Sequence, residues 1–192
     1  MWLKAHYPSD FMAAVLSADM DTTDKVVTLI EECRNMNLSV KPPHVNHSEY
    51  KFTVDDEQAV IYGLGAIKGV GESAIESIIE SRQAGGRFSD IFEFCRRIDQ
   101  RKVNRRVLES LLKAGALDEL GANRASLMNQ LPLALKMAEQ HHASQAAGQN
   151  DLFGMSDPQP QAVADWQMIP DDSEEWDDEL RLQGEKETLG LY

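Results

Sequence analysis

The sequence predicts a mainly α-helical protein with a small β element and a polar, acidic C-terminal stretch. Three observations carry this. Apolar residues recur at helical spacing through most of the first 147 positions, and helix-starting and helix-stopping residues lie between those runs. Only residues 49–64 alternate as a pair of strands would. From residue 148 the large apolar residues thin out, and Asp, Glu, Pro and Gln take over. A chain of 192 residues has room for one or two small domains.

Residues 9–38 read as helices. Ser9 is placed to cap "DFMAAVLSADM", with Phe11, Val15 and Leu16 on one face. Asp21 or Thr22 is placed to cap "TDKVVTLIEECRNMN", with Val26, Val27, Ile30 and Cys33 at helical spacing. Pro42-Pro43 ends the helical region. "EYKFTV" and "AVIYGL" flank the acidic turn "DDEQ" and predict a hairpin. From Gly65 to about 147 the pattern is helical again. Stops fall at Gly85-Gly86 and Gly115, and starts at Ser89, Asn104 and Asn123. Pro132 predicts a kink or a break inside 124–147. "SDPQPQAVADWQMIPDDSEEWDDE" reads as a partly disordered acidic linker that docks weakly or not at all, and "ELRLQGEKETLGLY" as a return to helix.

No uninterrupted apolar run of about 18 residues is present, so no membrane span is expected. The N-terminus lacks the basic-then-apolar layout of a secretory signal. Cys33 and Cys95 lie in apolar-periodic stretches without a neighbouring ligand, which predicts reduced core thiols in a cytosolic protein. His141 and His142 are adjacent, point to different helix faces, and read as surface histidines rather than a metal pair.

The net charge of −13 is unevenly spread. Residues 1–60 carry −5 and residues 150–192 carry −10, whereas residues 61–118 carry +2. Within the positive part, "RRIDQRKVNRR" (96–106) sets six basic residues against one Asp. Such asymmetry speaks to partners in a way the average does not.

The stretch "AIKGVGESAIESIIE" (66–80) places Gly69 and Gly71 immediately before a helix. A helix start leaves backbone N–H groups unpaired and carries partial positive charge, so it suits an oxyanion when the backbone can come close. Glycine removes the Cβ that would hold a phosphate away. Val70 would point inward between the helices, while Lys68 and Ser73 would add side-chain contacts. The other reading is a tight helix–helix turn and nothing more. The second helical pair lacks the glycines and has Lys102, Asn104, Arg105 and Arg106 at its helix start instead, either a basic version of the same grip or a solvated run. Further on, "GQNDLFG" sets Gln149 ahead of Asp151, Leu152 and Phe153 in a polar setting; the apolar pair either packs locally or fills a partner's pocket.

"GLGAIKGVGESAIESI" resembles the helix-hairpin-helix motif of DNA-binding proteins, with Ile67, Val70, Ala74 and Ile78 at its packing positions. Together with "AHYPSDFMAAVLSADM", "KPPHVNHSEYKFTV" and "NRRVLESLLKAGALDEL", it is similar to the bacterial replicative (C-family) DNA polymerase III alpha subunits. The resemblance implies the end of a helical fingers domain with a small β-hairpin over 1–60. It implies a tandem helix-hairpin-helix region holding double-stranded primer–template over 61–120 and a helical extension over 121–147. A motif binding the beta sliding clamp would lie at 148–154, through Gln149, Asp151, Leu152 and Phe153. The acidic linker would follow over 155–178, then the lead-in to an OB-fold domain over 179–192. It also implies a cytoplasmic replisome with other replicase subunits, Mg2+ for the parent polymerase, and a monovalent cation at the Gly69–Gly71 hairpin as in some relatives of the motif. The paired palm aspartates of such a polymerase have no counterpart in this sequence, so no catalytic residue is expected in it. Two rivals remain. In one the hairpins are only structural and the chain is a protein-interaction module. In the other the chain is a glycosylase fragment with Asp90 in the catalytic place, although Asp90 also suits a helix cap.

Overall fold

The computed structural model describes residues 2–146 and 173–190. The chain opens with α1 (Trp2–His6), α2 (Pro8–Ala18) and α3 (Thr23–Asn35). The expected cap at Ser9 is corrected. The helix starts two residues earlier than such a cap implies, at Pro8, whose fixed φ and missing N–H suit a first helical position. Ser9 is therefore inside the helix and buried, and its Oγ donates to the Gln58 carbonyl at 2.6 Å. The buried face of α2 is Met12, Ala13 and Leu16, with Phe11 and Val15 only half-buried. In α3, Val26, Ile30 and Cys33 are buried as their spacing predicts, while Val27 is only half-buried.

The expected hairpin is present. β2 (Thr53–Val54) runs antiparallel to β3 (Val60–Ile61), with Thr53 opposite Ile61 and Val54 opposite Val60. Asp55 shapes its turn, because its Oδ1 accepts the N–H of Glu57 at 3.0 Å and of Ala59 at 2.8 Å. A third strand was not expected. β1 (Val40–Lys41) pairs in parallel with β3, giving the order β1-β3-β2. Two residues ahead of a Pro-Pro pair are too few to show a period of two.

A 3-10 turn at Leu64–Ala66 leads into the glycine turn. α4 (Glu72–Gly85), α5 (Ile91–Arg97) and α6 (Arg105–Lys113) follow, then a 3-10 turn at Asp118–Leu120, α7 (Arg124–Ala146) and α8 (Asp178–Leu189). Gly86 closes α4 at φ +76. The Asn104 side chain accepts the Val107 N–H at 3.1 Å, and that of Asn123 accepts the Ser126 N–H at 2.7 Å, so both expected helix starts carry real caps. The cap of α5 is Asp90 rather than Ser89: Oδ1 accepts the Glu93 N–H at 2.8 Å, while the Glu93 carboxylate accepts the amide and hydroxyl of Ser89. This occupies Asp90 as a cap. α7 continues past Pro132, so of the two expected outcomes the break does not occur. Leu127, Leu131, Ala134 and Ala138 bury one side of that helix, where it packs along α5, while Pro132 is exposed. Packing on one side holds the helix across the missing N–H.

A single apolar cluster runs from Met12 in α2 to Leu189 in α8, so the early helices, the sheet and the later helices share a core. Cys33 and Cys95 are free and fully buried; burial raises both thiols, that of Cys95 to about 12. Three arginines also turn inward. Arg82 donates to the carbonyls of Val45 and Ser48 at 3.0 and 2.8 Å and pairs with Glu49. Arg97 donates to the carbonyls of Ser81 and Gly86 at 2.6 and 2.8 Å and lies 4.4 Å from the centre of the Phe88 ring. Arg124 has a side chain only 7% exposed and binds Asp118 through two nitrogens, at 2.8 and 2.9 Å, and Glu185 at 2.9 Å. Burial alone would lower the pKa of Arg124, but these two carboxylates outweigh it and raise it.

The end of the acidic stretch is corrected as well. Residues 173–178 were expected to dock weakly or not at all, yet Glu175 caps α7 by accepting the N–H of Arg124 at 3.2 Å and of Ala125 at 3.3 Å. Burial works against the Glu175 carboxylate, but these amides and that of Trp176 hold its pKa below the ordinary glutamate value. Trp176 packs partly buried against the core. The expected linker over 155–172 lies outside the described residues.

Replacing Arg124 with Met strands the carboxylates of Asp118 and Glu185 at the junction of α6, α7 and α8. Urea unfolding of Arg124→Met is expected to show a loss of about 2 kcal/mol, the usual range for hydrogen bonds to a charged group.

Candidate nucleic-acid interface

The two glycines differ in what the fold asks of them. Gly69 has φ +88, a conformation that side chains resist, and a Cβ there would come within 3.0 Å of Ser110 Oγ on α6. Gly71 has φ −80 and ψ 155, which any residue adopts, and a Cβ there would meet nothing within 4 Å. Neither conformation nor packing explains a glycine at 71. What its missing side chain does is keep the ground clear in front of α4.

That ground is lined with donors. Among the described residues, the amides of Gly69, Gly71, Glu72 and Ser73 donate to no hydrogen bond. Val70 faces the other way: its side chain is buried beside Ile67, Ala74 and Ile78, and its amide donates to the Ile67 carbonyl at 3.2 Å. Val70 thus sets the turn from within, while Lys68 and Ser73 stand exposed on its rim. The carbonyls of Lys68, Gly69 and Val70 accept no hydrogen bond among the described residues, so they are the ones open to a monovalent cation. Among the described residues, none of the three strands carries a carboxylate, and Asp55, which follows β2, is tied to Lys41 at 2.6 Å.

At the second helix start, Lys102, Asn104, Arg105 and Arg106 are all exposed. They are not equivalent. The Asn104 side chain is spent on its own helix, and Arg105 pairs with Glu109 at 2.8 Å. Lys68, Lys102 and Arg106 take part in no ion pair among the described residues. Of the six basic residues in 96–106, Arg97 points inward and contributes nothing to the surface. Gln149, Asp151, Leu152 and Phe153 lie outside the described residues.

Sequence reasoning missed one cluster. His44, His47 and Glu119 bring three ligand-type atoms within 4.8 Å of one another. No spacing rule finds it, because Glu119 is brought in by the fold. The chain closes this cluster itself. Arg87 Nη2 lies 3.0 Å from both His47 Nε2 and Glu119 Oε2, and His44 Nδ1 accepts the Asn46 N–H at 3.0 Å. A cation would have to displace a guanidinium and take an imidazole whose proton sits on the wrong nitrogen.

The helix-hairpin-helix motif family matches residues 37–127. The whole chain aligns with DNA polymerase III subunit alpha from Vibrio cholerae at 53% identity, from Escherichia coli strain K12 at 50% and from Pseudomonas aeruginosa at 48%. The chain belongs to the DNA polymerase III alpha-subunit family. It spans about one-sixth of those relatives, covering 16% of the first two and 17% of the third. The matched helix-hairpin-helix region of this alpha-subunit chain begins before the sheet and ends within α7, so β1 to β3 and the Gly69–Gly71 turn fall in one matched unit. Among the described residues, no helix is long and apolar enough to cross a membrane.

Two measurements test this geometry. Ala at 69 must adopt a left-handed backbone, at a cost of about 1–2 kcal/mol, whereas Ala at 71 forfeits only part of a helix cap, less than about 1 kcal/mol. Urea midpoints of the two variants are expected to separate in that order. The second concerns pH. Burial lowers the pKa of His44, with the His47 and Arg87 charges acting in the same direction, against Glu119 and Asp118. Its contribution to stability is therefore complete above the unfolded value near 6.5 and is lost as pH falls below it. Stability measured from about pH 7 to pH 5 is expected to decline less in His44→Gln.

Proposed function

We propose that this chain is the part of a replicative DNA polymerase that holds duplex DNA by its phosphates without reading sequence. The observation that carries this is Gly71: neither its backbone angles nor its surroundings demand a glycine there, and among the described residues the amides of Gly69, Gly71, Glu72 and Ser73 donate to no hydrogen bond. A phosphate oxygen accepts such amides and gains from the positive end of α4, with Lys68 and Ser73 adding contacts at the rim. Lys102 and Arg106 at the start of α6 supply the second contact, from side chains rather than backbone. The grip fixes position and carries no base information. In this reading residues 149–153 bind the sliding clamp through Leu152 and Phe153, with Gln149 and Asp151 alongside, and tethering makes rebinding of DNA effectively intramolecular. Chemistry belongs to another part of the parent chain, where Mg2+ would act.

The test is fluorescence anisotropy of the chain on labelled primer–template over a salt series, with and without sliding clamp. Binding is expected to fall steeply with salt. Gly71→Glu, and separately the Lys102→Ala/Arg106→Ala pair, are expected to flatten the slope of log K against log salt by about 1 and 2 respectively, while Phe153→Ala loses only the clamp. Retained clamp binding with no DNA binding at low salt would instead make the chain an interaction module.

A further inference from the structure

The glycine turn has little of its own to hold it. Within residues 67–71 the only internal amide bond is the 3.2 Å bond from Val70 to the Ile67 carbonyl. Its two ends are bonded to their neighbours in sequence, Ile67 to the Leu64 carbonyl and the Gly71 carbonyl to the amides of Ala74 and Ile75, and among the described residues one backbone hydrogen bond ties the turn to an element distant in sequence: the Lys68 N–H donates to the Thr188 carbonyl at 2.9 Å. Thr188 lies in the last turn of α8, where carbonyls have no intrahelical partner. Each side thus meets the other's unmet need, and the negative end of α8 comes to rest behind the basic rim of the turn.

α8 is itself wedged in place. Gly184 is buried against Lys113 of α6, and Lys113 pairs with Glu187 at 2.8 Å. Arg124 binds Glu185, and Leu189 is buried in the common core. At the far end Gly190 has φ +74, and a Cβ there would come within 2.7 Å of Thr23 and 2.9 Å of Val27, both on α3. The seat admits glycine alone, on grounds of conformation and space together.

We propose that α8 is the positioning element of the phosphate grip, with Gly190 seating its end on α3 so that the Thr188 carbonyl holds the Lys68 amide and turns the amides of Gly69 and Gly71 outward. This rests on the reading of the turn as a DNA-holding site. It makes the firmness of that hold depend on a helix more than a hundred residues further along the chain, so that movement at the end of α8 is felt at the DNA.

The test compares the 192-residue chain with Gly190→Ala, Gly190→Val and Asp178→Asn by amide hydrogen exchange and by the DNA salt series. Asp178→Asn removes the exposed ion pair with Arg181 at the start of α8 and leaves its end seated. In the Gly190 variants the Lys68 amide is expected to exchange at least about tenfold faster, with the core amides of α3 and α4 unchanged, and the salt slope to fall by about 1, as for a lost phosphate contact. In Asp178→Asn both readouts stay at their starting values. If Gly71→Glu binds DNA like the starting chain, the grip itself is wrong. If Gly71→Glu loses a contact and both Gly190 variants keep it, the grip stands and the positioning role of α8 falls. Gly190→Ala, the milder change, keeps the question open to an answer should Gly190→Val fail to fold.

Discussion

Short helices leave many unpaired backbone groups, and meeting them is the constraint on which this structure depends. Four donors and four acceptors stand unpaired at every helix, whatever its length. The helices between residues 72 and 113 have only 14, 7 and 9 residues, so ends make up much of them. The chain answers with side chains sent inward. Asp90, Asn104, Asn123 and Glu175 receive amides. Arg82 and Arg97 reach the carbonyls left over in the loop at 45–48 and at the end of α4. A guanidinium suits this work because one planar group donates in several directions and keeps its charge when buried.

The same economy shapes the candidate interface. Arginine serves the interior at 82, 97 and 124, so the outward basic surface is smaller than the sequence count. What stays outward at 68, 102 and 106 takes part in no ion pair among the described residues, and it borders the helix starts of α4 and α6. In the proposed grip, the first start would offer backbone and the second side chains to the same kind of oxygen. Ser110 of α6 lies directly against Gly69, so the two helical pairs meet at the turn rather than at a distance from it.

Much of this was legible in the residues. Asn104 and Asn123 announced helix starts, Gly86 and Gly115 announced stops, and the Asp-led turn announced a hairpin, because each acts through its own backbone neighbourhood. Failures came where the deciding partner was far along the chain. Ser9 looked like a cap but serves Gln58; Glu175 looked like one more charge in a solvated run but serves the start of α7. Pro132 breaks a helix only when nothing else holds it, and its support comes from the buried face of α7. The direction of Arg97 and the meeting of His44 with Glu119 have no local signature. At the turn, Gly69 and Gly71 look alike in sequence, and only the backbone angle and the space around each separate a structural glycine from one the fold does not require.

The two thiols have a use their burial makes available. Cys33 sits in the last turn of α3, at the other end of that helix from the seat of Gly190, and Cys95 sits in α5, which packs along the long helix α7. Both are sealed from solvent and held protonated, so a disulfide reagent can modify them only when their surroundings part. Placed in the earlier and later parts of a shared core, they form a built-in pair of opening counters. Equal labelling rates would mean that the core parts as one body, and unequal rates would name the half that breathes first.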